Sequence, residues 1–411
     1  MIKFKILSVL LLITFCVIGC QKDQKETVKV EKFEVLDDLF TKYNVVSINN
    51  QELLDLSKGK KNEVFTLDLK LEEKPNWVFS VQFYDFYSED YKAYESDLNG
   101  NWIEVQRTNR SDAFHGQSSD LESRALFVME DNHFTGTVIE GNNEFFIEPL
   151  SEFVKGADPN LYVYYDISAD ITGQSTACGN MDQDETFIKG DESSSTTLRS
   201  SGNCKELSIA YVADYELLQK NNGDVDYTRY YVENMLKYGS YRYWGYNNYP
   251  LYFKIYGSYV MTNNSNPPTT STSIGTSLNQ FKAWGNDGNI QVRDCNLLYT
   301  GREYISPSGF NYYGIAKVST VCQSDQDGYK AFGLCVSKLS GVSSHVQSKV
   351  TAHEVGHTLG CGHTSGTNHD FMAQGKHSSK DMSTITWNAL DNYIGANNTC
   401  MPSKPCVNFI D

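Results

Sequence analysis

Short runs of alternating apolar and polar residues fill the chain between about residues 36 and 170. Such alternation predicts β-strands with one buried face, because successive side chains of a strand point to opposite sides. Gly, Asn and Asp separate the runs, which include "EVFTLDLKL", "WVFSVQFYDFY" and "NEFFIEPL". We therefore expect residues 36–187 to form an antiparallel, β-rich domain.

The pattern breaks off at residues 188–203, where Ser, Thr and Gly dominate and no apolar period is visible. This composition is typical of an exposed linker. Arg199, in "STTLRSSG", is the predicted cleavage site there, because trypsin-like proteases cut exposed chain after basic residues.

Helical spacing appears after the linker and alternates with strand patterns. "ELSIAYVADYELL" indicates a strand followed by a helix, and "YTRYYVENMLKYGSYRYW" carries apolar residues at helical intervals. "PLYFKIYGSYVM" indicates another strand, and "SHVQSKVTAHEVGHTLG" a helix that ends at Gly360. Residues 204–411 are therefore predicted to form a second domain of mixed α and β structure.

The N-terminus has the pattern of an export signal. In "MIKFKILSVLLLITFCVIGC" two lysines precede an apolar run that is short for a membrane span. Its end, "VIGC", resembles a bacterial lipobox, which implies that residues 1–20 are a signal peptide and that Cys20 is acylated. Residues 21–35 would then be a tether to the lipid of the outer membrane, with the protein at the cell surface. An ordinary cleaved signal peptide is the alternative.

Charge and cysteine content limit the partners and the compartment. The formal net charge of −16 over 411 residues argues against nucleic acid as a partner. Export permits disulfides. Eight cysteines lie beyond the signal: Cys178, Cys204, Cys295, Cys322, Cys335, Cys361, Cys400 and Cys406. Four bridges would pair them all, but Cys178 stands apart, and the pairing stays open.

One segment, "TAHEVGHTLGCGH", has the spacing of a metal site. Residues four apart share a helix face, so His353 and His357 can bind one ion, with Glu354 beside them as a general base. Gly360 allows a left-handed turn that brings His363 back as a third ligand. Three imidazoles leave one position open, as in catalytic zinc sites. The alternative is a coincidental cluster on a surface helix.

This motif, followed by Met372 in "HDFMAQG", resembles that of the metzincin metallopeptidases, in which the methionine forms a turn beneath the zinc. Residues 203–411 resemble in particular the reprolysin (adamalysin) family and the bacterial fragilysin-like enzymes. The resemblance implies an α+β fold with a twisted mixed sheet, an active-site helix and a small C-terminal subdomain, preceded by a β-rich prodomain. It implies a zinc endopeptidase that hydrolyses proteins by glutamate-assisted attack of a zinc-bound water.

The same resemblance assigns further residues. "GIAKVSTVC" looks like the edge strand of that family, so residues 313–319 would line the cleft and Gly314, Ile315 and Ala316 would pair with a peptide substrate. Two positions depart from related families: Thr364 replaces the aspartate usual in reprolysins, and Gln374 replaces the tyrosine of astacins. The remaining histidines lack ligand spacing, and surface or turn positions are expected for them: His345, His369 and His377.

Calcium is a second metal implied by the resemblance. Glu206, Asp294 and Asn408 resemble the contributing positions, although solvated acidic residues are the alternative. The likeness also suggests a Cys322–Cys406 bridge and brings Cys204 near Cys295.

The segment "STACGNMD" supplies a candidate inhibitor of the zinc site. Thiolate is a strong zinc ligand, and the Cys-Gly pair at Cys178 resembles the cysteine switch of metalloprotease propeptides. A structural disulfide is the alternative, as is inhibition by Asp182 or Asp184. Cleavage at Arg199, by a trypsin-like protease or by the enzyme itself, would free the catalytic domain from inhibitor and anchor.

A function of another class is a surface-binding or adhesion lipoprotein on a catalytically silent, protease-like scaffold. Such a protein would be expected to have lost a metal ligand or the glutamate. This chain keeps His353, His357, His363 and Glu354. The motif therefore favours the enzyme.

Overall fold

The computed structural model of this chain describes residues 33–69, 71, 77–107, 110–130, 133–172, 177–178, 203–322, 331–339, 342–364, 370–373, 382–397 and 400–406. Over these residues the chain forms seventeen strands: β1 Asn44–Ser47, β2 Val64–Leu69, β3 Trp77–Tyr84, β4 Tyr87–Ser96, β5 Trp102–Val105, β6 Asp112–Ser118, β7 Ser123–Glu130, β8 His133–Glu140, β9 Asn143–Pro149, β10 Leu161–Asp166, β11 Ala177–Cys178, β12 Asn203–Ala213, β13 Leu251–Val260, β14 Cys295–Thr300, β15 Tyr312–Ala316, β16 Ala331–Val336 and β17 Ser403–Pro405.

Seven α-helices accompany these strands in the same described ranges: α1 Glu34–Asp37, α2 Asn50–Ser57, α3 Tyr215–Lys220, α4 Val225–Tyr241, α5 Ile274–Trp284, α6 Ser344–Thr358 and α7 Thr384–Ala396. None of the helices in the described part of the chain is long and apolar enough to cross a membrane.

The N-terminal half is built on an eight-stranded sheet in the order β1-β10-β9-β8-β7-β6-β3-β2. Every neighbouring pair is antiparallel, as the alternating pattern predicts. One face of this sheet buries an aromatic cluster that includes Phe79, Phe114 and Phe127, each with no exposed surface. The predicted β-rich region before the linker is confirmed.

A second, mixed sheet forms the body of the C-terminal half, in the order β11-β15-β16-β14-β12-β13-β4-β5, with β17 paired to the start of β12. Strands β12, β13, β14 and β16 run parallel, while β15 is antiparallel to β16. Helices α4 and α6 pack in its core. This is the twisted α+β arrangement expected from the sequence.

Three strands from before the linker, β4, β5 and β11, belong to this second sheet. Strand β4 pairs in parallel with β13, with Ser258 opposite Ala93 and Tyr259 opposite Tyr94. The rings of Tyr94 and Tyr259 stack at 4.7 Å between centroids. Both sheets lie in one compact unit, Glu34–Asp411. The linker therefore separates two stretches of sequence that share one sheet.

Helix α6 runs through the interior of the protein. Its N-cap is Ser343, whose side chain accepts a hydrogen bond from the Val346 amide at 3.2 Å. The chain leaves the helix after Thr358 and turns at Gly360, whose φ of +91° is left-handed, with the Cys361 amide donating to the Gly356 carbonyl. All its residues from His345 to Thr358 are buried. The alternative of a histidine cluster on a surface helix is therefore wrong.

Two disulfides differ from the expected pairs. Cys204 is bonded to Cys406, and Cys322 to Cys400. Strand β17 lies against the start of β12, so it carries Cys406 alongside Cys204. Cys295 instead lies opposite Ile209, five residues further along β12 or about 16 Å away. The Cys322–Cys406 bridge and the proximity of Cys204 to Cys295 are thus wrong. Four described cysteines are free and buried: Cys178, Cys295, Cys335 and Cys361.

Candidate active site

Helix α6 and the turn after it bring three histidines together. The ring centroids of His353 and His357 lie 4.6 Å apart, and those of His357 and His363 lie 4.8 Å apart. Cys178, which precedes the linker in the sequence, lies beside these histidines. One ligand atom from each of these four buried residues lies within 4.8 Å of the others. Three imidazoles and a thiol form a donor set suited to zinc.

Backbone carbonyls orient two of the imidazoles. Nδ1 of His353 lies 2.8 Å from the Phe371 carbonyl oxygen, and Nδ1 of His357 lies 2.7 Å from that of Cys361. A carbonyl only accepts, so each Nδ1 carries the proton and each Nε2 keeps its lone pair. Within the described residues, neither ring nitrogen of buried His363 has a hydrogen-bond partner. A buried imidazole in this condition fits a metal ligand.

The electrostatics of the histidines also suit a cation. Burial and the neighbouring His363 lower the pKa of His357 to about 3, and burial lowers the pKa of His363 to about 4. Both rings are therefore neutral at physiological pH. Burial raises the pKa of Glu354, and burial together with Glu354 raises that of the Cys178 thiol. A cation between these groups would offset both effects, since it favours carboxylate and thiolate.

Glu354 lies between the histidines and strand β15. A Cβ atom added to Gly314 would overlap Oε1 of Glu354, so the glycine lets the glutamate reach the cleft. In the part of the chain that is described, Oε2 of Glu354 is buried without a hydrogen-bond partner. The carboxylate is thus held beside the metal ligands with one oxygen available for proton transfer.

Met372 packs against Gly356 of helix α6 and is fully buried. A Cβ atom on Gly356, in the middle of α6, would lie 2.5 Å from the Met372 sulfur and 3.2 Å from the Tyr243 hydroxyl. The methionine turn therefore fits only because residue 356 has no side chain. Sequence reasoning passed over Gly356, although a glycine inside a helix costs about 1 kcal/mol and so signals a packing constraint.

Strand β11 covers the open side of the site. It pairs in parallel with β15, with Ala177 opposite Tyr312 and Cys178 opposite Gly314. Sγ of Cys178 lies 3.4 Å from Oε1 of Glu354 and 3.5 Å from Nε2 of His357. Cys178 therefore lies beside β15, the edge strand predicted to bind substrate, and contacts Glu354.

The predicted calcium residues have protein partners. Oε1 of Glu206 accepts a hydrogen bond from Tyr256 at 3.2 Å, and Oδ2 of Asp294 accepts one from the Ser208 hydroxyl at 2.6 Å. Several predicted residues lie outside the described residues: Cys20, Asp182, Asp184, Arg199, His369, His377 and Asn408.

His345 corrects one expectation. It is fully buried on α6, with Nδ1 3.7 Å from Oδ2 of Asp170, so the expected surface or turn position is wrong. The first turn of α6 is covered by the N-terminal half of the chain, which a local sequence pattern does not reveal.

Comparison with known proteins gives the family. A reprolysin model, described as metallo-peptidase family M12, matches residues 203–404. This region is similar to the reprolysin-type M12 metallopeptidases. The family resemblance predicted from the zinc motif is thereby confirmed. No match was found among curated protein sequences.

The fold extends this likeness beyond the M12 region. The crystal structure of metalloproteinase-II from Bacteroides fragilis matches with a TM-score of 0.52 and 13% sequence identity. The match covers 84% of this chain and 96% of that chain. Because 84% is more than the M12 region alone, the similarity of fold includes part of the β-rich N-terminal half.

Proposed function

We propose that the protein is a zinc endopeptidase made as a latent precursor. The observation that carries this proposal is the buried cluster of His353, His357 and His363 on the M12 fold, with Glu354 beside them and the edge strand β15 alongside. Zinc bound there would act as a Lewis acid that polarises the substrate carbonyl and acidifies water.

Residues of the chain bind the substrate, transfer the proton and orient the imidazoles. Strand β15 binds the extended substrate through the backbone of Gly314, Ile315 and Ala316, as one strand pairs with another. Glu354 takes the proton of the attacking water and transfers it to the leaving amine. The carbonyls of Phe371 and Cys361 keep two imidazoles in the required tautomer.

Cys178 and strand β11 account for the latency. The thiol completes a four-ligand set and lies within 3.4 Å of Glu354, so it blocks the metal position and the base together. A buried thiolate needs a compensating charge, which zinc would supply. The strand also occupies the edge of β15 on which a substrate would pair.

Export and activation complete the proposal. The protein is anchored through Cys20 in the outer membrane, facing the cell exterior. A trypsin-like protease, or the enzyme itself, cuts at or near Arg199 in the linker. The catalytic domain then acts on protein substrates once the cut propeptide has dissociated or been digested. A calcium ion at Glu206, Asp294 and Asn408 is a further expectation of the resemblance.

The test is cleavage of casein or gelatin by the precursor, residues 21–411, before and after limited trypsin. Glu354→Ala is the matched control, since it removes the base and keeps the three histidines. We expect activity only after trypsin, and none from the variant. Zinc content is measured on both proteins, and about one equivalent is expected in each.

Two results would contradict parts of the proposal. Full activity before trypsin would exclude latency while leaving the peptidase intact. The second result is a trypsin-treated wild type that binds zinc and yet cleaves neither casein, nor gelatin, nor a random peptide library. That result would exclude the endopeptidase and favour a surface-binding role.

A further inference from the structure

Asp370 organises the turn that carries Met372. Its side chain is fully buried. Oδ1 accepts a hydrogen bond from the Met372 amide at 2.9 Å, and its main-chain carbonyl accepts one from the Ala373 amide at 2.9 Å. An aspartate that bonds the backbone two residues on closes a tight local turn. Residues 370–373 are held in one conformation by this side chain.

The second carboxylate oxygen ties the turn to helix α7. Oδ2 accepts from the hydroxyl of Thr386 at 2.6 Å and from that of Ser383. Ser383 is also the N-cap of α7, where its hydroxyl accepts from the Thr386 amide at 3.3 Å. The negative charge thus lies at a helix N-terminus, where the helix dipole stabilises it. Asp370 therefore anchors the turn to a rigid element.

The main chain of the same turn contacts His353 directly and contacts Thr364, the residue after His363. The Phe371 carbonyl faces Nδ1 of His353 at 2.8 Å. The Met372 carbonyl accepts from the Thr364 amide at 3.2 Å, and Thr364 directly follows His363. A displacement of this backbone would therefore move both imidazoles, although Asp370 contacts neither of them.

We propose that Asp370 is a positioning residue of the metal centre, which holds His353 and His363 in place through the main chain of Phe371 and Met372. The proposal deepens the proposed function, because it takes the ion to be zinc. Partners of metal ligands commonly change metal affinity by about 10-fold to 100-fold when they are replaced. A role confined to capping α7 would instead change only the stability of the fold.

The experiment measures zinc release from the zinc-loaded precursor, residues 21–411, to a chromogenic chelator at a temperature well below unfolding. Asp370→Asn keeps the size of the side chain and one accepting oxygen but removes the charge. We expect zinc to leave this variant at least about 10-fold faster than it leaves the wild type. The visible spectrum of the cobalt-substituted protein should shift as well, because the imidazoles change their angles to the ion.

The matched control is Asp214→Asn. Asp214 is also a buried carboxylate that caps a helix, since it accepts from the Leu217 amide at 2.8 Å and the Gly301 amide at 3.0 Å. It lies in the same domain and contacts no part of the methionine turn in the described structure. We expect zinc release from this variant to match that of the wild type, even where its melting temperature falls.

Equal zinc release from Asp370→Asn, Asp214→Asn and the wild type overturns the proposal. If Asp370→Asn does not fold, Thr386→Val removes one donor to Oδ2 and should give a smaller acceleration; unchanged release from that variant overturns the proposal too. Zinc release does not depend on peptide cleavage. A wild type that holds zinc but cleaves nothing therefore contradicts the proposed function alone, while a wild type that holds no zinc contradicts both.

Discussion

Gly314 controls how close strand β15 comes to Glu354, the proposed general base. Because a Cβ atom there would overlap Oε1 of Glu354, Gly314→Ala must push the carboxylate or the strand aside. A misplacement of about 1 Å can cost on the order of 100-fold in rate. We expect trypsin-treated Gly314→Ala to lose casein cleavage to about this extent while it retains zinc.

The control for this change is Gly395→Ala on α7, where an added Cβ meets no atom within 4 Å. It should keep full activity. Equal activity of both variants would show that β15 and Glu354 accommodate the added methyl group without a change in the active-site geometry. Loss of zinc from Gly314→Ala would show that the strand acts on the ligands and not on the base.

Glu148 makes the stability of the precursor depend on pH. It is fully buried, where it accepts hydrogen bonds from the Tyr165 hydroxyl at 2.6 Å and the Ser344 amide at 3.3 Å. Burial raises the pKa of Glu148 from its ordinary 4.5 to about 7. Between these values the folded state keeps a proton that the unfolded state loses. The stabilisation from this group is therefore present below pH 4.5 and is lost as pH rises through 7.

Glu148→Gln copies the protonated form at every pH. We expect its melting temperature to exceed that of the wild-type precursor only slightly at pH 5 and by several degrees at pH 8. Glu122→Gln, at an exposed carboxylate, should show no such difference. A constant offset between Glu148→Gln and the wild type from pH 5 to pH 8 would contradict this account.

The sequence predicted that His353, His357 and His363 lie together, but it did not predict the groups that hold these side chains in place. Spacing of four on a helix forces His353 and His357 onto one face, and Gly360 permits the return to His363. The carbonyls of Phe371 and Cys361 carry no sequence signature, because every residue has one. The sequence around Asp370 predicts only a local turn, because its hydrogen bonds to Ser383 and Thr386 depend on the position of α7.

Strand β11 is short, yet in the proposed latent form its pairing with β15 would block the cleft in addition to the Cys178 thiol. Cys178→Ala removes the sulfur from the metal site and leaves the pairing of residues 177–178 with β15 in place. We therefore expect the uncut variant to gain casein-cleaving activity, but to stay well below the trypsin-treated wild type. The measurement is the initial rate of each protein before and after trypsin.

Cys295→Ala is the control, because Cys295 is another buried free cysteine of the same sheet and lies outside the metal cluster. The uncut control should stay inactive. Full activity of uncut Cys178→Ala would mean that the thiol alone blocks the cleft, whereas no activity would mean that the strand suffices.

The sequence predicts where strands occur more readily than it predicts which strands pair with each other. The alternating runs mark β2 and β3, in which buried and more exposed residues alternate, whereas β8 and β9 are buried along almost their whole length. Strand β4, "YSEDYKAYES", is rich in polar residues and joins the other sheet, opposite residues more than 160 positions away. Such long-range pairing depends on which edge is free, which no local pattern records.

The two halves of the precursor are held together by buried ion pairs as well as by β4. Arg107, from before the linker, lies 2.6 Å from Oε1 of Glu233 on α4 and 3.0 Å from Glu130. Arg242 likewise pairs with Glu144 at 3.1 Å. These partners are almost completely buried. We therefore expect the propeptide to stay bound to the catalytic domain after the linker is cut.

Size-exclusion chromatography after limited linker cleavage tests this retention, with the fragments identified by mass. Arg107→Met should weaken the association by about 100-fold to several thousand-fold, because loss of one partner of a buried pair costs about 3–5 kcal/mol. Lys92→Met is the control, since the Lys92–Glu104 pair is about half exposed and lies wholly before the linker. Fragments that separate as soon as the linker is cut would contradict the prediction.

Retention also predicts the course of activation. If the cut propeptide stays bound, β11 still covers β15, and activity must lag behind cleavage of the linker until the propeptide dissociates or is digested. The lag should shorten in Arg107→Met and stay unchanged in Lys92→Met, because only the first change weakens the buried contacts between the halves. Activity that follows linker cleavage without delay in the wild type would mean that the covalent connection, and not the buried interface, keeps Cys178 on the metal site.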